Sequence, residues 1–507
     1  MKREARAYLI PVLLITLVVK LILAAALPFS GDEAYFFIWG QRLDFGYYDH
    51  PPMVGWLLWL MLQLGHAEWV LRLPIVLFTS FIGWGLYRLL RDWDDEKAAL
   101  VALLYLCSPI NLIGVLITTD AGLIIFSFLC VALLTRALAS GRQSLFIAAG
   151  VALGLAFLSK YFAVLLAVAI ILYWLTTPAA RKHSRGFVWL LLATLPFIAL
   201  NLYWNYTHCW ANILFNVYNR HGDAKLDWHR PLVYGLTQLY LITPWVAWWL
   251  IKKRKQWAAS VRAANLRLFA FAFLVPAAIF AVLSLEKLIG LHWLLSFYPF
   301  LFVLMAGLLS AAELRRAWRY TLIFSIVHLL AITILVLLPM SAWQGSRYAD
   351  GAVIMLKPQA VLDQLEPYRG KFTLATDGYS AAAILTYHGG ENVAVFGEAS
   401  SHARHDDLVT DFRNLDERNI VVFLKKPPEF DKFGPYFKSI RFSDFTLYGV
   451  KFYLVEGVGF NYAAYRDAIL SHVRQKYYAI PAYLPVGACY FCERYFAGSS
   501  CHLGAHK

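Results

Sequence analysis

The stretch LIPVLLITLVVKLILAAAL at residues 9–27 decides the fold class. Its 19 residues carry one charged side chain, and about 20 apolar residues in a helix cross a hydrocarbon core of about 30 Å. The stretch follows Lys2, Arg3 and Arg6, and no small-residue cleavage site precedes Gly31. We therefore predict an uncleaved first span and not a secretory signal.

Apolar runs of similar length recur along roughly two thirds of the chain. The 507 residues are 60% hydrophobic and 15% charged, and their mean hydropathy is +0.55. A soluble domain is about half apolar and about a quarter charged. The sequence thus predicts an α-helical polytopic membrane protein with about eleven transmembrane helices. Their approximate positions are 8–27, 68–90, 97–117, 119–139, 144–159, 161–176, 187–204, 232–251, 267–285, 290–310 and 319–339.

The loops between these spans alternate in character. Basic residues cluster in one set: Arg88 and Arg91; Arg136 and Arg142; Arg181, Lys182 and Arg185; Lys252 to Lys255; and Arg315, Arg316 and Arg319. The other set, at 28–67, 205–231 and 285–291, is acidic, aromatic and histidine-bearing. Positive-inside bias puts the basic loops and the N-terminus in the cytoplasm, and an odd number of spans puts the C-terminal region outside. The net charge of +14 therefore reflects topology, and we predict no nucleic-acid partner.

Composition divides the chain into a transmembrane domain at 1–340, with its first outer loop at 28–67, and a soluble α/β domain at 341–507. The run PPMVGWLLWLMLQL at 51–64 is too short to span and predicts an interfacial helix. In the soluble domain, strands are predicted at 371–375, 393–396, 420–424 and 445–453, and helices at 359–368 and 462–473. No glycine-rich nucleotide fingerprint and no internal repeat is visible.

The six cysteines are too few and too scattered for a disulfide scaffold. Those in or beside apolar segments are predicted to be packing residues: Cys107, Cys130 and Cys209. A second group crowds the C-terminus: Cys489, Cys492, Cys501, His502 and His506. Its spacing is irregular for zinc, which favours a disulfide or free thiols.

The first outer loop is the most informative segment for chemistry. Its sequence FSGDEAYFFIWGQRLDFGYYDHPP, at 29–52, contains four acidic residues: Asp32, Glu33, Asp44 and Asp49. Partial burial would raise the pKa of one carboxylate and prepare it for general-base work. The surrounding aromatic faces, Tyr47 and Tyr48 among them, suit the C–H face of a sugar or an isoprenoid chain. The alternative is an ordinary interfacial loop whose acids face water.

GDEAYFFIWGQ at 31–41, followed by GYYDHPPMVGWL at 46–57, resembles the integral-membrane glycosyltransferases of the GT-C class. The similarity is greatest to the bacterial branch related to lipid A aminoarabinose transferases and dolichyl-phosphate-mannose protein mannosyltransferases. It continues more loosely in four segments: TTDAGL at 118–123, GLAFLSKY at 154–161, WNYTHCWANILFNVYNR at 204–220 and LHWLLSFYPF at 291–300. Most of the membrane region is covered, and little of the soluble domain.

The resemblance implies a reaction outside the inner (plasma) membrane of a bacterium. An undecaprenyl-phosphate sugar would donate a hexosyl or pentosyl group, with inversion, to a lipid or glycan acceptor such as lipid A or lipopolysaccharide core. The family's first-loop acid, taken as catalytic base or acceptor-orienting group, corresponds to Asp32, with Glu33 beside it. The family chemistry requires no cofactor. The soluble domain would then be periplasmic.

A leaving phosphate needs fixed cations beside it. Lys160 lies inside an apolar run at a predicted outer span end, although a snorkelling lysine is the alternative. Arg220 ends the NVYNR segment of another outer loop. His50 is a third candidate, but some relatives have lysine there, and histidine is fully charged only below about pH 6.5.

Further residues are candidates for the substrate cavity: Asp49, Asp120, Tyr47, Tyr48 and His292. For Asp120 the alternative is a helix cap, and for His292 a packed or interfacial residue. Asp49 with His50, His292 or His221 has the ligand types of a divalent-metal site, although linear spacing does not show that they converge. His402 and His405 are interpreted as surface residues.

Two other functions use the same features. A transporter or flippase for a polyprenyl-linked lipid would also need spans, a buried lysine and aromatic loops, but it predicts ionisable groups near mid-membrane. A non-catalytic scaffold predicts that Asp32→Asn has no effect. Asp32, Asp49, Asp120 and Lys160 all lie on one predicted side, which favours an enzyme.

Overall fold

The computed structural model describes residues 2–219 and 226–498. The chain forms two compact units. The helical unit comprises Met1–Leu27, Leu60–Leu200 and Asp223–Val336. The mixed unit comprises Pro28–Trp59, Asn201–Gly222 and Leu337–Lys507, so two segments from the first half of the chain pack with the C-terminal region.

Long apolar helices confirm the polytopic helical fold. Five described helices are long and apolar enough to cross a membrane: Ala5–Ala26, Leu73–Leu90, Asp120–Ser140, Ser184–Thr207 and Ala311–Leu337. Shorter helices complete this part of the chain: Glu68–Leu71, Asp95–Leu106, Pro109–Leu112, Gln143–Ser159, Ala163–Thr176, Pro178–Arg181, His229–Leu241, Pro244–Lys252, Trp257–Ala263, Arg267–Leu283 and Tyr298–Leu308. Every predicted span overlaps at least one of these helices.

Two predicted spans are broken directly before a proline. The span at 97–117 ends its first helix at Leu106 and restarts at Pro109. The span at 232–251 is interrupted at Thr243, whose φ is +69°, and restarts at Pro244. The residue before a proline is disfavoured in the α region, so a continuous helix through either site was the wrong expectation.

Two buried basic side chains connect helices inside the helical unit. Lys20 Nζ, in the first helix, donates to Val76 O at 2.8 Å, Ser80 Oγ at 3.0 Å and Asn111 Oδ1 at 3.1 Å. Arg72 donates to the carbonyls of Ala24 and Leu27 at 2.7 and 2.8 Å, at the C-terminal end of that helix. These bonds satisfy buried N–H donors that would otherwise be costly among apolar helices.

The mixed unit contains a five-stranded sheet: β1 Thr373–Thr376, β2 Ala394–Val395, β3 Ile420–Leu424, β4 Phe437–Leu447 and β5 Val450–Phe460. The order is β2-β1-β3-β5-β4, parallel among the first three strands and antiparallel in the last two pairings. Its α-helices are Gly31–Gln41, Met53–Leu62, Ala211–Ile213, Ala349–Leu356, Pro358–Leu365, Tyr379–Gly389, Asp406–Val409, Tyr462–Tyr465, Ser471–Tyr477 and Tyr490–Tyr495. The predicted α/β character is confirmed.

The prediction of a single strand at 445–453 was wrong. A hairpin turn lies inside it, because Leu447 pairs with Val450 and only Tyr448 and Gly449 connect β4 to β5. Both connecting residues have positive φ, +51° and +78°. That backbone is typical of a two-residue turn that matches strand twist.

Cys209 is not the inert packing residue that its apolar surroundings suggested. It forms a disulfide with Cys489, across 280 residues of sequence. The bond ties the segment after helix Ser184–Thr207 to the C-terminal part of the mixed unit. Cys107 and Cys130 are buried free thiols, as predicted. Cys501, His502 and His506 lie outside the described residues.

Candidate functional site

The first-loop helix, Gly31–Gln41, begins with a capping box that fixes its two acids differently. The Ser30 hydroxyl accepts from the Glu33 backbone N–H at 3.3 Å, while the Glu33 carboxylate accepts from the Ser30 N–H at 3.1 Å. Glu33 is fully buried and held in this cap. Asp32 is exposed on the first turn, so it is the acid of this pair that a substrate can reach.

The first-loop helix packs against the helix Tyr379–Gly389 of the C-terminal region. A Cβ at Gly31 would lie 1.8 Å from Ser380 Oγ, so only glycine permits this approach. The Tyr379 hydroxyl donates to Asp32 Oδ1 at 2.9 Å. The exposed carboxylate of the first loop is therefore held by a residue 347 positions away.

Asp49 is the second carboxylate of this site, and it is buried. The Tyr35 hydroxyl donates to Asp49 Oδ1 at 3.5 Å, and His402 Nδ1 lies 3.4 Å from Oδ2. Burial alone would raise the pKa of Asp49, but nearby His50 and the His402 hydrogen bond hold that pKa below its ordinary value. Asp49 is accordingly an anion at neutral pH.

The aromatic residues of the loop form packed structure around these acids. Tyr47 stacks on Trp39 with ring centroids 4.7 Å apart and donates to the Trp39 carbonyl at 3.0 Å. The Tyr48 hydroxyl accepts from Asn219 Nδ2 at 3.2 Å. Both tyrosines are buried. They support the loop from within, which differs from the open sugar-binding faces that the sequence suggested.

His405 is not the surface residue that we expected from the sequence, whereas the His402 side chain is 40% exposed. His405 is buried against the rings of Tyr35, Trp39 and Tyr47, with centroids 5.7–5.8 Å away. Burial lowers its pKa to about 4. Within the described part of the chain, neither of its ring nitrogens has a hydrogen-bond partner. Sequence reasoning missed both histidines because nothing near them in the chain marks them as partners of the first loop.

Two asparagines of the 201–222 segment hold the YYDH turn of the first loop. Asn212 Nδ2 donates to the carbonyls of Tyr48 and His50 at 3.2 Å each. Asn216 Nδ2 donates to the Asp49 carbonyl at 2.9 Å. Both asparagines lie in WNYTHCWANILFNVYNR, one of the segments that resemble the GT-C class. That motif was the only sequence feature that pointed to them. Arg220 and His221, candidates from the same segment, lie outside the described residues.

A second cluster of predicted residues lies in the helical unit. Helix Asp120–Ser140 and helix Gln143–Ser159 are consecutive, so the start of the first lies beside the end of the second. Lys160 Nζ donates to both carboxylate oxygens of Asp120, at 2.9 and 2.8 Å. His292 Nε2 is 4.0 Å from Asp120 Oδ2. Three candidates taken from three separate motifs thus meet at one place.

The predicted metal near Asp49 finds no matching set of ligands. The described residues contain no group of three or more histidine, cysteine, aspartate or glutamate side chains placed to hold a metal ion. Asp49 and His402 alone provide two ligand types at the site. His221, one of the candidate ligands, lies outside the described residues, so a metal near Asp49 stays a prediction and we derive no chemistry from one.

Part of the chain is similar in sequence to known proteins. Residues 49–204 match the family described as dolichyl-phosphate-mannose-protein mannosyltransferase. Over 190 residues the chain is 31% identical to lipid A galacturonosyltransferase RgtD of Rhizobium johnstonii, a match that covers 36% of this chain and 40% of that protein. The chain thus spans about two fifths of the length of the curated relative it matches.

The fold has counterparts among solved structures. Two structures of ArnT from Cupriavidus metallidurans, one in the apo state and one bound to undecaprenyl phosphate, align with a TM-score of 0.63. Each alignment covers 89% of this chain and 98% of ArnT at 16% identity. At this identity the likeness shows a shared fold, and the fold class implied by the sequence resemblance is confirmed.

Proposed function

We propose that this chain, a multi-pass membrane protein related to the GT-C glycosyltransferases ArnT and the dolichyl-phosphate-mannose protein mannosyltransferases, transfers a sugar from a polyprenyl phosphate to lipid A or lipopolysaccharide core. The observation that carries the proposal is the exposed Asp32 carboxylate, fixed by Tyr379 on a first-loop helix. A ligand-free scaffold has no use for a carboxylate oriented in this way. The name of the relative RgtD supports lipid A as acceptor and a hexose-derived sugar over a pentose.

Asp32 acts as the general base in this proposal. The acceptor hydroxyl attacks the anomeric carbon while its proton passes to the carboxylate, and the bond from that carbon to the polyprenyl phosphate breaks. Attack opposite the leaving phosphate inverts the anomeric centre. Glu33 holds the helix start that carries Asp32, and Asp49 contributes a fixed negative charge near the sugar.

Lys160 is the proposed partner of the donor phosphate. Its ammonium group is held in place by Asp120, and protonated His292 would add positive charge next to it. Arg220 and His50 are further candidates for this role. The undecaprenyl phosphate bound in one ArnT structure supports a polyprenyl phosphate as the donor carrier. No cofactor is required for this displacement.

The mixed unit is proposed to lie in the periplasm and the N-terminus in the cytoplasm, with the spans in the inner membrane. The Cys209–Cys489 disulfide supports this orientation, because such bonds persist in oxidising compartments and are rare in the cytosol. The basic loops between the spans support the same orientation through the positive-inside bias.

Mass spectrometry of lipid A and core tests the function. Cells with the gene deleted should lose one sugar mass, and wild type should restore it while Asp32→Asn should not. Asp44→Asn is the matched control, since Asp44 is an acid of the same loop that pairs with the Trp204 indole. An unchanged profile on deletion would exclude lipopolysaccharide as acceptor, and full restoration by Asp32→Asn would exclude Asp32 as base.

A transporter predicts a different result from the same cells. Deletion would then cause the sugar-carrier lipid to accumulate on the cytoplasmic side, and Asp32→Asn would retain transport. Measuring donor lipid accessible to a membrane-impermeant oxidant in spheroplasts separates the two functions. Accumulation of donor on the outer face supports the transferase.

A further inference from the structure

Both carboxylates of the first-loop site receive a polar partner from the C-terminal region of the chain. The Tyr379 hydroxyl donates to Asp32 at 2.9 Å, and His402 Nδ1 lies 3.4 Å from Asp49. These partners lie 347 and 353 residues from the acids they contact. The C-terminal region therefore meets the first loop at the residues most suited to chemistry.

We propose that the C-terminal region completes the active site, with Tyr379 and His402 as positioning residues for Asp32 and Asp49. The inference rests on the proposed glycosyl transfer and assigns the soluble region a direct part in it. A covering or acceptor-selecting role alone would not require contacts to both acids.

The two acids and their two partners form one continuous cluster with the Tyr35 side chain. The Tyr379 ring lies 5.2 Å from the ring of Tyr35 and 5.6 Å from that of His402. Tyr35 in turn donates to Asp49. A shift of Tyr379 would therefore change the positions of both carboxylates, which are coupled through this cluster.

Packing fixes where Tyr379 stands. Ser380, the next residue, lies against Gly31, which precedes Asp32, so the two helix starts are in close backbone contact. Phe29 and Phe37 flank the Tyr387 ring at 4.4 and 4.8 Å further along the same helix pair. This packing holds the Tyr379 hydroxyl in position next to the Asp32 carboxylate.

The hydrogen bond has a clear chemical use. An exposed aspartate rotates freely, whereas a bond to Oδ1 fixes the carboxylate plane and leaves Oδ2 for the acceptor proton. Reacting groups need placement to within about 3–3.5 Å, and a misplacement of about 1 Å can cost roughly 100-fold in rate. The loss of the hydroxyl should therefore affect turnover and spare substrate binding.

Tyr379→Phe separates positioning from packing, because it keeps the ring and removes the donor. Detergent-solubilised enzyme would be assayed on total lipid extract from the deletion strain, which supplies unmodified acceptor and donor together. We expect apparent kcat to fall about ten-fold or more, within the range of such misplacement, with apparent KM and Tm close to wild type. Tyr368→Phe is the matched control. The Tyr368 hydroxyl also donates to a carboxylate, that of Glu456, at 2.9 Å, and this pair is not part of the candidate site.

His402 gives a second, independent variant pair. Asparagine places an amide nitrogen close to the position of Nδ1, so His402→Asn should retain most activity, while His402→Leu should lose it. If Tyr379→Phe lowers Tm strongly, this pair decides the inference. Wild-type kcat in Tyr379→Phe, or equal rates for the two His402 variants, overturns it.

Different results would contradict the proposed function itself. Wild-type enzyme that produces no mass shift in the extract, or Asp32→Asn that turns over at the wild-type rate, contradicts the glycosyl transfer or its base. An inactive Asp32→Asn beside a fully active Tyr379→Phe contradicts only the role of the C-terminal region.

Discussion

Lys160 donates to both carboxylate oxygens of Asp120, and both side chains are almost fully buried. Removing one partner of a buried ion pair leaves an uncompensated charge and costs about 3–5 kcal/mol. Lys160→Met and Asp120→Asn should therefore each lower the Tm of the purified protein. Activity loss in either single variant does not by itself show phosphate binding.

The double variant Lys160→Met with Asp120→Leu separates stability from function. Replacing both charges by apolar groups is often neutral for stability, so we expect Tm to recover most of the loss. Activity should stay absent if Lys160 meets the donor phosphate. Recovery of transfer along with Tm would show that the pair is structural only.

The disulfide between Cys209 and Cys489 should contribute to the stability of the mixed unit. Removing a native disulfide costs about 2–5 kcal/mol in small secreted domains. Cys209→Ser should therefore lower Tm, and reductant should lower the wild-type Tm by more than that of Cys209→Ser, in which the disulfide of Cys492 remains. Cys130→Ser serves as control, because Cys130 is a buried free thiol. With the bond present, denatured Cys209→Ser should label with maleimide at one more cysteine than denatured wild type does, because Cys489 becomes free; labelling at one fewer would contradict the bond.

Hydropathy predicted the helical unit well, because a span must be apolar along nearly its whole length. It did not predict the breaks at Pro109 and Pro244, because local backbone restriction is invisible in a hydropathy average. The turn at Tyr448 and Gly449 was missed for a related reason. Apolar and polar residues alternate on both sides of it, so the pattern continues through the turn.

The candidate site was predicted only in its local part. The first loop contains Asp32 and Asp49 in one short segment, so composition and motif identified them together. Tyr379 and His402 could not be found, because contacts across more than 340 residues leave no trace in spacing. The capping role of Glu33 could have been predicted from the sequence, because Ser30 precedes it by three residues as in a capping box.

His405 makes the stability of the mixed unit depend on pH. Burial lowers its pKa from 6.5 to about 4, so the unfolded chain binds a proton at a higher pH than the folded chain. The contribution of His405 to stability is full above about pH 6.5 and is lost as the pH drops toward about 4, by about 3 kcal/mol in total. The neighbouring Asp406, whose pKa burial raises to about 7, acts in the opposite direction, so the effect of His405 is measured as a difference between variant and wild type. His405→Phe keeps an aromatic ring in the site and should remove this part of the pH dependence. Tm measured from pH 4.5 to 7.5 tests it, and parallel curves for variant and wild type would contradict the assignment.

Gly31 and Ser380 give a test of the contact that brings the first loop to the C-terminal region. A Cβ at position 31 would lie 1.8 Å from Ser380 Oγ and 2.7 Å from its Cβ. Gly31→Ala should therefore force the two helix starts apart and destabilise the mixed unit by about 1–3 kcal/mol, the usual cost of overpacking. Transfer should fall as well, because the Tyr379 hydroxyl would move away from Asp32.

Ser380→Gly in the Gly31→Ala background removes both clashing atoms and leaves only the Ser380 Cα at 3.2 Å. The double variant should recover Tm and activity relative to Gly31→Ala. Gly351→Ala is the control, since no atom lies within 4 Å of a Cβ added there. If Gly31→Ala alone behaves as wild type in both Tm and transfer, the close approach is not needed, and the first loop can function without its contact to helix Tyr379–Gly389.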